Sequence, residues 1–191
     1  MVDCKNALQE ANGDTQAAIE LLRKKGALKA AKKSAERTAS EGIVHAYIHA
    51  NQKVGVLIEL QCESDFVARN PEFLELAHDI AMQVAATDPK WVAVEEIPED
   101  AIAEQKRLYA LELAEDKKPD DIKQKIMEGK LAKWYEETVL LKQPWVKDDT
   151  KTIAQLIEEK VATIGEKMVL ARFTRMALSA PPKPAEQDVC I

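Results

Sequence analysis

Residues 41–63 read EGIVHAYIHANQKVGVLIELQCE. In the second half of this stretch Val54, Val56, Ile58 and Leu60 alternate strictly with Gly55, Leu57, Glu59 and Gln61. A period of two puts one set of side chains on each face of a strand, so the first set forms a buried face. Ile43, Val44, Tyr47 and Ile48 lie in a second β-rich run just before it, and ANQK at 50–53 is a short turn. The stretch is an antiparallel β-hairpin. A lone hairpin is only marginally stable, so the rest of the chain must supply cover for its apolar face.

The cover follows directly. Asn70-Pro71 is a helix start, with asparagine as the N-cap and proline at the first helical position. Beyond it Phe73, Leu76, Ala77, Ile80, Ala81 and Val84 fall on one helical face. The run TDP at 87–89 ends this helix, and WVAVEEIP at 91–98 reads as a short edge strand. Pro98, Glu99 and Asp100 open a charged helix to about Glu115. KKPDD is a turn, followed by helices over 120–128 and 130–137 with Gly129 between them. Residues 139–151 read as a loop anchored by Leu140, Leu141 and Trp145, and TIAQLIEEKVATIG as a helix stopped by Gly165. Residues 167–178 alternate as a further strand, with Met168, Leu170, Arg172, Thr174 and Met176 on one side and Val169, Ala171, Phe173, Arg175 and Ala177 on the other.

Toward the N-terminus, Cys4, Ala7, Leu8 and Ala11 have helical spacing. Asn12 and Gly13 suit a helix stop and Asp14 suits the next N-cap. A second helix follows, with Ala18, Ile19 and Leu22 inward and Gly26 as its stop. The chain is therefore α+β: a helical module at 1–26, a basic helical linker at 27–40, and a domain at 41–178 in which helices cover a small antiparallel sheet of about three strands. The tail at 179–191, with three prolines, is expected to be disordered.

Composition narrows the function. The 191 residues carry 27 basic and 33 acidic side chains, a net charge of −6, which disfavours a role in binding nucleic acid. The three cysteines, Cys4, Cys62 and Cys190, have no metal-ligand spacing and fit reduced thiols in a cytosol-like compartment. No apolar leader and no run of about 18 apolar residues suggests export or a membrane span. The six glycines are scattered, so no phosphate-cradling loop can be drawn and no nucleotide or other cofactor is expected. A thiol hydrolase could be assembled from Cys62 with His45 or His49, but nothing around Cys62 would lower its pKa, and Glu63 and Asp65 would raise it. Trp91, Trp134 and Trp145 read as packing residues. The absence of a catalytic constellation favours a protein that works by contact.

One feature resists the packing rules. In CESDFVARNPEF, residues 62–73, Phe66 follows Asp65 in a short link that would ordinarily be polar. Taken alone, it could staple the turn onto the next helix.

Three stretches bear on it. MVDCKNALQEANGDTQAAIELLRKKGALKAAKK resembles the N-terminal, ubiquitin-associated-like helical module of the elongation factor Ts family. LQCESDFVARNPEF resembles that family's central signature, usually Thr-Asp-Phe-Val followed by Ala, with Ser64 in place of threonine. GKLAKWYEETVLLKQPWVKDD resembles its C-terminal module signature. The likeness covers about residues 1–178 and resembles the family's short forms. The resemblance implies another helix and a Thr-Gly-Ala-Gly turn ahead of the Met-Asp-Cys region, so the helical module is expected to be incomplete in this sequence. It implies a guanine-nucleotide exchange factor for translation elongation factor Tu, not an enzyme, in a bacterial cytoplasm or organelle matrix. Asp65 and Phe66 would act as a wedge near the magnesium site of the GTPase, with Ser64 as a cap and Val67 as a support. Lys5, Asp14 and Arg23 would belong to the docking surface of the helical module. The expected partners are elongation factor Tu, GDP-bound and nucleotide-free, and a second copy of the chain in a symmetric homodimer. A peptide- or ubiquitin-binding adaptor using the helical module is the competing reading.

Overall fold

In the computed structural model of the chain, residues 2–22, 37–114 and 119–178 are described. The hairpin forms as its periodicity requires. Strand β1 (Glu41–Ile48) runs antiparallel to β2 (Val54–Cys62), with Ile43 opposite Leu60 and His45 opposite Ile58. The His49 N–H donates to the Val54 carbonyl at 2.9 Å, and Gln52 takes a positive φ of 57° to close the turn. At the far end Gly42 has φ +151°, and a β-carbon there would lie 2.3 Å from the Leu60 carbonyl oxygen. No other residue fits that close approach.

Strand β5 (Val169–Ala177) completes a sheet of order β1-β2-β5, antiparallel throughout. The unbroken alternation expected for 167–178 is corrected by the register. Glu59 pairs with Arg172 but Leu60 pairs with Leu170, leaving Ala171 as an extra residue. This bulge reverses the phase of the strand. Met168 and Leu170 are buried before it; after it Arg172, Thr174 and Met176 are exposed, and Phe173 packs against the core opposite Ile58. Arg175 then reaches the end of the covering helix, donating to the Ala85 carbonyl at 3.3 Å. A cation at a helix C-terminus is favourable.

That covering helix follows α1 (Val2–Glu10), α2 (15–22) and a single-turn helix α3 (Asp65–Ala68). It is α4 (Pro71–Thr87), and it lies across β1 and β2. The Asn70 side chain accepts the Glu72 N–H at 2.9 Å, and Asp88 ends the helix in the left-handed conformation. Phe73, Leu76, Ala77, Ile80, Ala81 and Val84 are all buried, joining Val56, Ile58, Leu60 and Cys62 of β2. Helices α5 (Glu99–Ala114) and α6 (Asp120–Thr138) pack on each other. Helix α7 (Ile153–Ile164) begins with a reciprocal capping box, Thr152 with Gln155, and adds Leu156, Ile157 and Val161 to the core.

Three further expectations are corrected. Residues 91–98 form no strand beyond a single Trp91–Val139 bridge, because the Glu96 carboxylate accepts the Val92 N–H at 3.0 Å and a 3-10 turn at Val94–Glu96 bends the chain. Helix α6 runs unbroken through Gly129, which has open space around it; an isolated surface glycine costs a helix only about 1 kcal/mol. Residues 139–151 hold a 3-10 turn at Leu140–Lys142 and a two-stranded ribbon, β3 (Pro144–Trp145) with β4 (Asp148–Thr152). The buried Gln83 side chain of α4 holds this ribbon by donating to Gln143 and to the Pro144 carbonyl, each at 3.1 Å, and accepting the Val146 N–H at 2.9 Å.

In the helical module Asn12 and Gly13 take positive φ, and Asp14 caps α2 by accepting the Gln16 and Ala17 N–H groups. Ala7 and Ala18 are buried, but Ile19, expected to point inward, is exposed. Two short helices bury little more than the small residues where they meet. The linker at 27–36, Arg23, Gly26 and the tail from 179 lie outside the described residues.

Candidate functional site

Strand β2 ends at Cys62, and the chain makes one helical turn, α3, before entering α4. Val67 and Ala68 are buried in the main core. Successive residues of a helix point about 100° apart, so turning those two inward turns Asp65 and Phe66 outward. Phe66 is 80% exposed. It staples nothing: the turn is held by Val67, and the phenyl ring stands in solvent beside the Asp65 carboxylate. Arg69 pairs with Asp65 at 3.0 Å, both side chains well exposed. Such a pair contributes little and is easily exchanged for another partner.

The base of the turn is built by residues remote in sequence. Ser64 is the N-cap of α3, its hydroxyl oxygen 3.4 Å from the Val67 N–H. The same hydroxyl donates to Glu166 at 2.7 Å, and the Ser64 N–H donates to the second Glu166 oxygen at 3.1 Å. Next to it Glu63 pairs with Arg37 at 3.0 Å and accepts the Lys167 N–H, while the Lys167 ammonium donates to the Arg37 carbonyl at 2.8 Å. Sequence reasoning missed Glu166 and Glu63. Glu166 follows a helix-stopping glycine, a position with no periodic signal, and nothing local reveals a partner 102 residues away.

Lys5 and Asp14 belong to the helical module and not to this turn, and Arg23 lies outside the described residues. Lys5 is exposed on α1, and Asp14 spends one carboxylate oxygen on its cap. The thiol reading of Cys62 is not assembled. Cys62 is fully buried, and burial first, then the Glu166 carboxylate, pushes its thiol above the ordinary value. Cys62 pairs with Glu41 while His45 pairs with Ile58, four residues or about 13 Å along the strands. The His45 ring instead meets His78 of α4 edge-on at 5.6 Å, beside Tyr47, whose hydroxyl bonds His49.

This cluster yields a pH prediction. Burial, then the neighbouring His78, lowers the His45 pKa below the ordinary histidine value, and its Nε2 has no hydrogen-bond partner among the described residues. The unfolded chain then binds more protons than the folded one, so stability is lost as pH falls through about 6.5 and below. Urea midpoints should fall between pH 7.5 and 5.5, and His45→Phe, which keeps the ring, should flatten that dependence. An unchanged slope in the variant would place the dependence elsewhere.

Among the described residues no group of three or more His, Cys, Asp or Glu side chains could hold a metal ion, and no helix is long and apolar enough to cross a membrane.

The Elongation factor TS family model matches residues 8–162, from the helical module through the hairpin, the exposed turn and α4 into α7. The chain belongs to the elongation factor Ts family. Among its relatives, elongation factor Ts of Moorella thermoacetica is 51% identical over 92% of this chain and 86% of its own length. That of Petrotoga mobilis is 48% identical over 93% and 90%, and that of Koribacter versatilis 51% identical over 92% and 80%. Membership of the elongation factor Ts family accords with the α+β fold and places the chain among translation elongation factors.

Proposed function

We propose that this chain is a guanine-nucleotide exchange factor for elongation factor Tu, and that Asp65 and Phe66 are the wedge that drives GDP out. The observation that carries the reading is the 80% exposure of Phe66 on a turn whose other face is buried. An exposed phenyl ring on a rigid base is a feature to be buried by a partner. Entering between helices of the GTPase near its Mg²⁺, it would displace the ion's ligands, and Mg²⁺ tolerates little departure from octahedral geometry. GDP binding depends on that ion and on the phosphate loop. The factor must therefore favour the nucleotide-free GTPase over the GDP-bound one, and the coupling is reciprocal. No bond is made or broken, and the reaction belongs to the compartment where translation occurs. Lys5, Asp14 and Arg23 would contribute a second docking surface from the helical module.

Release of a fluorescent GDP analogue from elongation factor Tu tests this directly. Acceleration by the intact chain is expected; binding without acceleration would favour the adaptor reading.

A second copy of the chain is a further partner in this reading. On the outward face of the sheet Val44, Ile48, Leu57 and Met176 are exposed, with Ala46 and Gly55 between them. Rows Ala46–Leu57–Thr174 and Ile48–Gly55–Met176 make this face largely apolar, and the Glu59–Arg172 pair at 2.6 Å borders it. Two such faces stacked about a two-fold axis would bury the patch on both copies. Sedimentation at micromolar concentration should give twice the chain mass, and Leu57→Arg should give one chain mass. A monomer for the unaltered chain would remove the dimer.

A further inference from the structure

We propose that Glu166 is a positioning residue for exchange, setting the angle at which the Asp65–Phe66 turn meets its partner. This rests on the wedge reading above. A single helical turn is too short to hold itself: it forms at most one or two internal hydrogen bonds against the cost of fixing its backbone. Something outside α3 must therefore orient it. Val67 and Ala68 anchor its inner side by burial. The entry to the turn is fixed by Glu166, whose two carboxylate oxygens take the two donors of Ser64, the hydroxyl at 2.7 Å and the backbone N–H at 3.1 Å. Two charge-assisted bonds from one carboxylate to one residue fix direction as well as distance. With its proton committed to Glu166, the Ser64 hydroxyl turns its lone pair to the Val67 N–H, which makes it the cap of α3. The chain of contacts runs from the Glu166 carboxylate through Ser64 to the turn carrying Phe66, and Glu166 itself touches no partner in this scheme.

Glu166 sits in the link between the stop of α7 at Gly165 and the start of β5 at Val169. The adjoining Lys167 binds Glu63 and the Arg37 carbonyl. The link thus grips both residues that precede Asp65, and Glu166 is the member of this grip that bonds the cap residue.

The test measures GDP-analogue release from elongation factor Tu with the full chain. Glu166→Ala should lower the maximal release rate at saturating factor about ten-fold, the worth of a charge-assisted bond, with a smaller change in the concentration for half effect. Glu166→Gln can still accept the Ser64 N–H and bond its hydroxyl, and should recover most of the rate; Ser64→Ala should lose it as Glu166→Ala does. In a Phe66→Ala background Glu166→Ala should add less than about two-fold, because both act through the same ring. Amide exchange at Val67 and Ala68 should quicken in Glu166→Ala. A folded Glu166→Ala with wild-type release, or a loss that adds in full to that of Phe66→Ala, would overturn the proposal. If Phe66→Ala itself releases GDP at the wild-type rate, the wedge reading fails. Amide exchange then still decides the role of Glu166: quickened exchange keeps it as the residue that orders the turn, and unchanged exchange removes it.

Discussion

Phe66→Ala is expected to lower the acceleration of GDP release about 10- to 100-fold while leaving the fold intact. Burying a phenyl side chain in a partner supplies about 1.5–3 kcal/mol, and that energy offsets the distortion of the magnesium site. Because Phe66 is 80% exposed in the free chain, its removal takes away almost no internal contact. Urea denaturation should therefore agree with the unaltered protein to within about 0.5 kcal/mol. The separation of the two effects is the informative result. Loss of release with unchanged stability identifies a group that acts only on the partner. Release at the unaltered rate would keep an exchange function but move the mechanism to other contacts.

Phe73→Ala should do the opposite. This residue, seven positions on, is 0% exposed in the third position of α4, packed with β2 and α7 in the core. Truncating a buried phenylalanine costs about 3–5 kcal/mol, from lost transfer energy and the cavity left behind. Domains are stable by only about 5–15 kcal/mol in total, so the variant should unfold at much lower urea, or fail to fold at 37 °C. The denaturation midpoint followed by circular dichroism at fixed protein concentration reads this out, since any dimerisation would add to stability by mass action. Where the variant remains folded, its release activity should survive. A change of less than about 1 kcal/mol would mean that the core closes around the gap.

These two residues show what could be read from the chain and what could not. Phe73 was legible because a helix writes its buried face into the sequence at every third or fourth position, and Asn70-Pro71 marked where that helix starts. The hairpin was legible for the same reason at a period of two. Phe66 belongs to no period: a single turn is too short to show one, and its neighbours allow either an inward or an outward ring. The family likeness, carried by residues 64–67, suggested the outward one.

The sequence by itself determined the hairpin, its covering helix, the α7 helix with its stop at Gly165, the α+β class and the likeness to elongation factor Ts, because each is encoded in spacing, stop signals and motifs among near neighbours. Only the tertiary structure decided which way Phe66 faces, where the bulge at Ala171 reverses β5, how Gln83 organises the ribbon after Val139, and that Glu166 holds Ser64. Those features depend on contacts between segments 60 to more than 100 residues apart. Local propensity carries no information about such partners; they are set when the sheet and helices close over a common core.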